Sequence, residues 1–167
     1  MNDLVRRGML ERMVGAALLD VDTYEEVEAD TNATTQAGLV VALTAVAAAI
    51  GQLSLGPFAI IGNALATLVH WFVWAGITYV IGDKVFGGTA TWGELLRTLG
   101  FAKAPGVLAA AAFIPLVGAL VHVAIAPWLL VTGVVAIRQA LDFSTGKAIL
   151  TALIGLIPYW VALAILF

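Results

Sequence analysis

The 167-residue chain contains no cysteine and only two histidines. Without thiols it has no disulfide framework, no thiolate nucleophile and no Cys-based metal site. Two histidines do not make a metal centre without further ligands. Charge is scarce as well: Asp, Glu, Lys and Arg make up 11% of the residues, against about 25% in an average soluble domain. The net charge of −3 offers nothing to a nucleic acid. The sequence also has no His-Glu-x-x-His and no Gly-x-Ser-x-Gly. Gly82-Asp83 is not the Gly-x-Gly-Asp of intramembrane aspartyl proteases. Ser144-Thr145-Gly146-Lys147 lacks the upstream glycine and following hydroxyl of a phosphate-binding loop. These absences leave an enzyme, a cofactor or a metal without support.

What the chain has is apolar length. It is 62% hydrophobic, with a mean hydropathy of +1.02. No Asp, Glu, Lys or Arg occurs between Thr31 and Gly82, between Ala104 and Ile137, or between Ala148 and Phe167. A membrane-crossing helix needs about 20 mostly apolar residues, and these runs are continuous rather than alternating. The sequence therefore predicts an all-α, polytopic integral membrane protein. Glu11 and Arg12 interrupt what would have to be the apolar region of a cleavable signal.

In chain order, residues 1–34 read as a cytoplasmic region and 35–167 as a membrane domain. Asn2 to Leu19 is predicted to be an amphipathic interfacial helix, with Val5, Met9, Met13, Ala16 and Ala17 on one side. Arg6, Arg7 and Arg12 would meet anionic headgroups, although Arg6 falls close to the apolar side; packing of this helix on the rest of the protein is the alternative. Residues 20–30 hold six carboxylates, and Thr23 followed by Glu26 fits a capping box. This segment reads as a solvated linker helix or as a docking surface, either for a basic partner or for the chain's own Arg and Lys residues.

Five spans are predicted at about 36–53, 60–81, 99–114, 119–140 and 147–167. The charge-free window from 104 to 137 is short for two full crossings, so a re-entrant hairpin is the alternative there. Thr91-Trp92-Gly93-Glu94 reads as a helix N-terminus, and Gly56-Pro57 as a turn. Pro127 is expected to kink the fourth span. Asn63 and His70 are the polar side chains of the second span. Each is read as an interhelical hydrogen-bonding group, with a functional intramembrane histidine as the sharper reading.

Every Lys and Arg falls in the N-terminal region or in alternate loops: Arg6, Arg7 and Arg12; Lys84, Arg97 and Lys103; Arg138 and Lys147. Loops rich in Lys and Arg stay cytoplasmic. The chain is therefore expected in the cytoplasmic membrane with its N-terminus inside and its C-terminus outside. Glu94, Arg97, Lys103, Arg138, Asp142 and Lys147 would lie near one plane at the inner boundary. There they pair with each other or meet a partner or lipid headgroups.

An acidic N-segment, five clustered spans and Gly100-Phe101-Ala102-Lys103-Ala104-Pro105 before the third span together resemble the Yip (Ypt-interacting protein) domain family, in its short prokaryotic form. Family members carry a Gly-Tyr-Ser-x-x-Pro-like element at this place. Here Phe101 replaces the tyrosine and Ala102 the serine, so the resemblance rests on Gly100, the aromatic and Pro105. For eukaryotic members it implies binding of small Rab-type GTPases. The Asp-Leu-Tyr-Gly-Pro element of their N-terminal region is missing here, so GTPase binding does not carry over.

The functional expectation is a non-enzymatic scaffold or adaptor. It would contact membrane lipids, associate with itself or another membrane protein, and present a cytoplasmic interaction surface. A small transporter or lipid-handling protein is the second reading. Membrane shaping by the N-terminal helix is the third.

Overall fold

The computed structural model describes residues 7–52 and 56–166. Among them there is no strand. Seven α-helices run in chain order: α1 (Met9–Ala17), α2 (Val21–Ala29), α3 (Ala33–Gly51), α4 (Pro57–Tyr79), α5 (Trp92–Phe101), α6 (Val117–Ala140) and α7 (Thr145–Leu166). Two tighter or looser windings interrupt this pattern. A π-helix, Val80–Val85, extends α4, and a 3-10 helix, Ala104–Phe113, comes after α5.

Among the described residues three helices are long and apolar enough to cross a membrane: Ala33–Gly51, Ile60–Val85 and Val117–Ala140. A shorter apolar helix covers Thr145–Ile157. Leu39, Val46, Leu65, Val69, Leu120 and Val123 are exposed on their outer faces, as lipid-facing side chains are. The chain is a multi-pass membrane protein.

Local chemistry accounts for the element ends. Gly56, at a φ of 83°, takes a conformation a side chain would resist, and Pro57 sits next to it in the first turn of α4. Thr91 and Glu94 close a reciprocal capping box on α5, as the sequence predicts. The acidic helix starts earlier than predicted. Asp20, not Thr23, caps α2 by accepting from the Asp22 amide. Thr23 is instead buried, filling the close approach of α1 at Gly15.

The segment predicted as a single span over 99–114 is two differently wound pieces. Leu99 to Phe101 end α5, and residues 104–113 form the 3-10 helix. Pro105 has no amide hydrogen, and its ring crowds the carbonyl four residues back, which disfavours an α-helix running through from α5. The 3-10 segment is narrow, rich in alanine and pressed against α3. A Cβ on Gly106 would stand 3.3 Å from Thr44. Ten residues wound as a 3-10 helix cover about 20 Å, against about 15 Å as an α-helix. The winding thus extends the reach of a short segment.

The core forms where α3, α4, α5 and α6 meet. Ala37, Val40, Leu95, Leu99, Phe101, Ala136 and Ile137 are buried there, as are Trp71 and Trp74 of α4. Gly133 of α6 and Gly155 of α7 admit the Trp74 indole; a Cβ at Gly133 would stand 2.6 Å from that ring. Gly100 sits where α5 crosses α3, with a Cβ position 2.7 Å from the Ala37 Cβ. A side chain there must push the two backbones apart. Gly100→Val is expected to lower stability by roughly 1–3 kcal/mol, the usual cost of overpacking, with a matching fall in Tm in detergent. Gly62→Val, at a glycine facing open space, is the control expected to leave Tm nearly unchanged.

Candidate functional site

The charged groups gather at one end of the helices, where α1, α2, α5, the π-helical extension and the α6–α7 turn come together. Two arginines hold this end. Arg97 of α5 is buried and its Nε donates to the carbonyls of Val27 and Glu28 at 3.1 Å each. Its Nη2 also donates to the Glu28 carbonyl. Those carbonyls belong to the last turn of α2, where helix geometry leaves acceptors without intrahelical partners and a partial negative charge. Arg12 of α1, 1% exposed, pairs with Glu26 at 2.8 Å and Asp30 at 2.9 Å and donates to Gln36 of α3 at 3.0 Å. Burial opposes the charge on Arg12. The Glu26 and Asp30 bonds outweigh it, and its pKa is raised.

Arg7 pairs with Asp20 at 2.6 Å and also reaches Thr23 and Glu26. Hydrogen bonding from Thr23 and Arg7 holds the Asp20 carboxyl below its usual range. The acidic segment is thus the receiver of the chain's own arginines, one of the readings its sequence allowed. Arg12 and Arg97 are buried and engaged within the protein, in line with the packing and pairing alternatives for these residues and not with contact to headgroups. Each is drawn inside by acceptors that only the folded arrangement supplies. Arg6 lies outside the described residues.

The predicted apolar side of the first helix faces the protein: Met13 and Ala16 are buried, and Met9 and Ala17 pack against the core. A second row, Leu10, Val14 and Leu18, points outward at 59–71% exposure. The buried Tyr24 and the half-buried Trp128 fasten the helix pair to the spans. The Tyr24 hydroxyl lies 2.9 Å from the Ala16 carbonyl and 3.3 Å from that of Thr132 on α6. Thr132 donates to the Ala102 carbonyl at 2.8 Å, and the Trp128 Nε1 donates to Ala17 at 2.8 Å. The sequence reading missed Tyr24, Trp128 and Thr132. The available signal was that buried Tyr and Trp need a partner for their polar ends.

Outside this clamp lies an acidic face. Gln139 of α6 donates to Glu25 of α2, and Arg138 donates to Gln139 at 2.8 Å. Asp142, in the left-handed region at a φ of 53°, accepts from the Thr89 hydroxyl at 2.7 Å. Glu28 is half-buried among these groups. Burial, and then repulsion from Glu25, Glu94 and Asp142, push its pKa up to about 7, with Arg97 opposing. An open polar cleft of about 350 Å³ beside it is lined by Arg138, Gln139, Asp142, Phe143, Ser144 and Thr145. Lys147 is exposed, with its ammonium 5.2 Å from the Phe143 ring centroid. Of the residues predicted to share one plane, Glu94 and Arg138 are half-buried and Asp142 and Lys147 are exposed, while Arg97 is internal. Lys103 lies deeper, 5.7 Å from the Trp74 ring centroid.

The predicted intramembrane polar groups are apart from this face. Asn63 donates to Gln52 at the end of α3 at 2.9 Å, an interhelical bond of the kind its sequence position suggested. His70 is tilted against Trp74, with ring centroids 6.0 Å apart. The family-motif residues Gly100, Phe101 and Pro105 are all buried. Their place is the α5–α3 crossing and the adjoining change of winding. No group of His, Cys, Asp or Glu among the described residues is arranged to hold a metal ion.

A family model described as the Yip1 domain matches residues 21–167. The match begins at the first residue of α2, so the acidic helix lies inside it. No curated protein and no solved structure matches the chain.

The raised pKa of Glu28 sets a pH dependence. Between the ordinary carboxyl range and about 7 the unfolded chain releases a proton that the folded chain retains. Folding stability from this group therefore falls as pH rises through that window, and is flat below and above it. Glu28→Gln is expected to be more stable than the parent at pH 8, by on the order of 1 kcal/mol after solvent screening. The gap should close as pH falls toward 5; thermal unfolding across pH checks it.

Proposed function

The chain belongs to the Yip1 domain family, and on that premise we propose that it is a non-enzymatic membrane adaptor. It docks a basic segment of a partner protein on its acidic face. The observation that carries this reading is the gathering of Glu25, Glu94 and Asp142 around the half-buried Glu28, whose charge is opposed by burial first and then by their repulsion. A Lys- or Arg-bearing segment would relieve that repulsion. Charge complementarity of this kind gives orientation and specificity. The face is also preformed, because the arginines beneath it are already engaged internally, and a preformed face loses less entropy on binding.

Five crossings fit this arrangement. With the clamped end in the cytoplasm, as the Lys and Arg distribution argues, α3 leads out and α4 returns. The 3-10 helix leads out again, α6 returns, and α7 ends outside. Phe113 to Val117 then make the outer turn. The extended 3-10 winding supports its role as a full crossing of a locally thin bilayer.

A second reading is favoured by the exposed row Leu10, Val14 and Leu18. Trp128 holds the end of α1 against the lipid-bearing helix α6. This row would enter the interfacial layer of the bilayer and anchor the cap. It replaces the predicted lipid-facing side, which is occupied by the protein itself.

The test of the adaptor reading is photo-crosslinking in native membranes from an unnatural residue placed at Glu25 or Asp142. Adducts to one defined protein partner are expected. Their yield should fall about tenfold when the other acidic position is changed to Lys, and fall further with added salt. Adducts that are unchanged by charge reversal would rule the acidic face out.

A further inference from the structure

A groove of about 740 Å³ runs along the outer side of α4 where that helix passes into its π-helical extension. Its walls are Phe72, Val73, Tyr79 and Val80, with Trp92 opposite from the start of α5. Gly76 forms the floor, and a Cβ added there would meet nothing within 4 Å, so the glycine holds space open rather than allowing contact. Such a volume falls in the range of small-molecule sites, roughly 300–1,000 Å³. The widened π-turn Val80–Val85 forms one end, and such turns are frequent where helices carry function.

The groove lining is apolar, and Phe72, Val73, Val80 and Trp92 are each about half exposed. Beyond the lining, in the π-turn, the Lys84 ammonium lies 5.1 Å from the ring centroid of the lining Tyr79 and 2.6 Å from the Asp83 carboxylate. The Lys84 side chain is 61% exposed. Tyr and Trp favour the headgroup level of a bilayer, where one end of each ring is apolar and the other wet. An apolar channel ending in an exposed ammonium has the layout of a phospholipid.

We propose that this groove is a specific phospholipid site, with an acyl chain lying along Gly76 between α4 and Trp92 and the phosphate against Lys84. Asp83 offsets part of the lysine charge. The site therefore recognises the phosphate common to zwitterionic and anionic phospholipids rather than net negative charge. A helix from a second copy is the competing occupant of the apolar walls, but it would bring Lys84 no phosphate in addition to its Asp83 partner. The location on a membrane-crossing helix makes acyl chains the surrounding solvent, so a bound lipid needs no path through the protein.

The experiment is native mass spectrometry of the full chain. The protein is released from nanodiscs of phosphatidylethanolamine or of phosphatidylglycerol and washed stepwise in detergent. The parent is expected to retain one phospholipid from either membrane. Gly76→Leu, which fills the floor, and Lys84→Gln, which removes the phosphate contact, should each lower retention about tenfold, equivalent to about 1.4 kcal/mol. Gly62→Leu, on the same helix outside the groove, should leave it unchanged. Circular dichroism and Tm identify any variant that has simply unfolded, and Lys84→Gln, at an exposed side chain, keeps the test open if Gly76→Leu does not fold. Equal lipid retention in folded Gly76→Leu, folded Lys84→Gln and the parent would overturn the proposal. So would a dimer that Gly76→Leu dissociates without changing bound lipid. Retention of phosphatidylglycerol alone would overturn the phosphate-only recognition.

Discussion

The structure depends on the side chain of Arg97. A guanidinium inside a largely apolar protein is costly unless its donors are satisfied and its charge is met. Here both needs are answered by the carbonyl end of α2, where Val27 and Glu28 present acceptors that the helix itself cannot use. One interaction therefore solves two problems, the buried cation and the uncapped helix. The geometry it fixes places α2 across α5 at the mouth of the first span. Arg12 repeats the device nearby, joining Glu26, Asp30 and Gln36.

Packing carries the effect of this clamp through the rest of the protein. With α2 fixed, Tyr24 reaches α6, and Thr132 of α6 reaches the loop after α5. With α5 fixed, Gly100 lets it touch α3, and Pro105 ends α-helical winding just beyond. The acidic face is the outer surface of the same construction. Its carboxylates repel Glu28, and the buried Arg97 offsets only part of that effect. The face is sensitive to pH through Glu28.

Much of this was legible in the sequence, for physical reasons. Apolar length arises from solvation by lipid, and it is a local property of sequence. So are the Thr91–Glu94 capping box and the Gly56-Pro57 turn. The element Gly100-Phe101 to Pro105 pointed to the family. What was not legible depended on tertiary partners. Nothing in the local sequence distinguishes a buried Arg97 from an interfacial one. The side of α1 that faces protein carries Met13 and Ala16, while Leu10, Val14 and Leu18 are just as apolar and face outward. The 3-10 winding of residues 104–113 arises from contact with α3, and hydropathy does not register it.

The most direct measurement of the clamp uses the absence of native cysteine. Cysteines placed at Glu25 and Gln139, whose parent side chains are hydrogen-bonded, are treated in intact membranes with a short bifunctional thiol reagent. If Arg97 holds α2 in place, an intramolecular cross-link forms in nearly all molecules and is lost from most of them when Arg97 is also changed to Ala. Absence of the cross-link, or its persistence without Arg97, would contradict the role of that arginine.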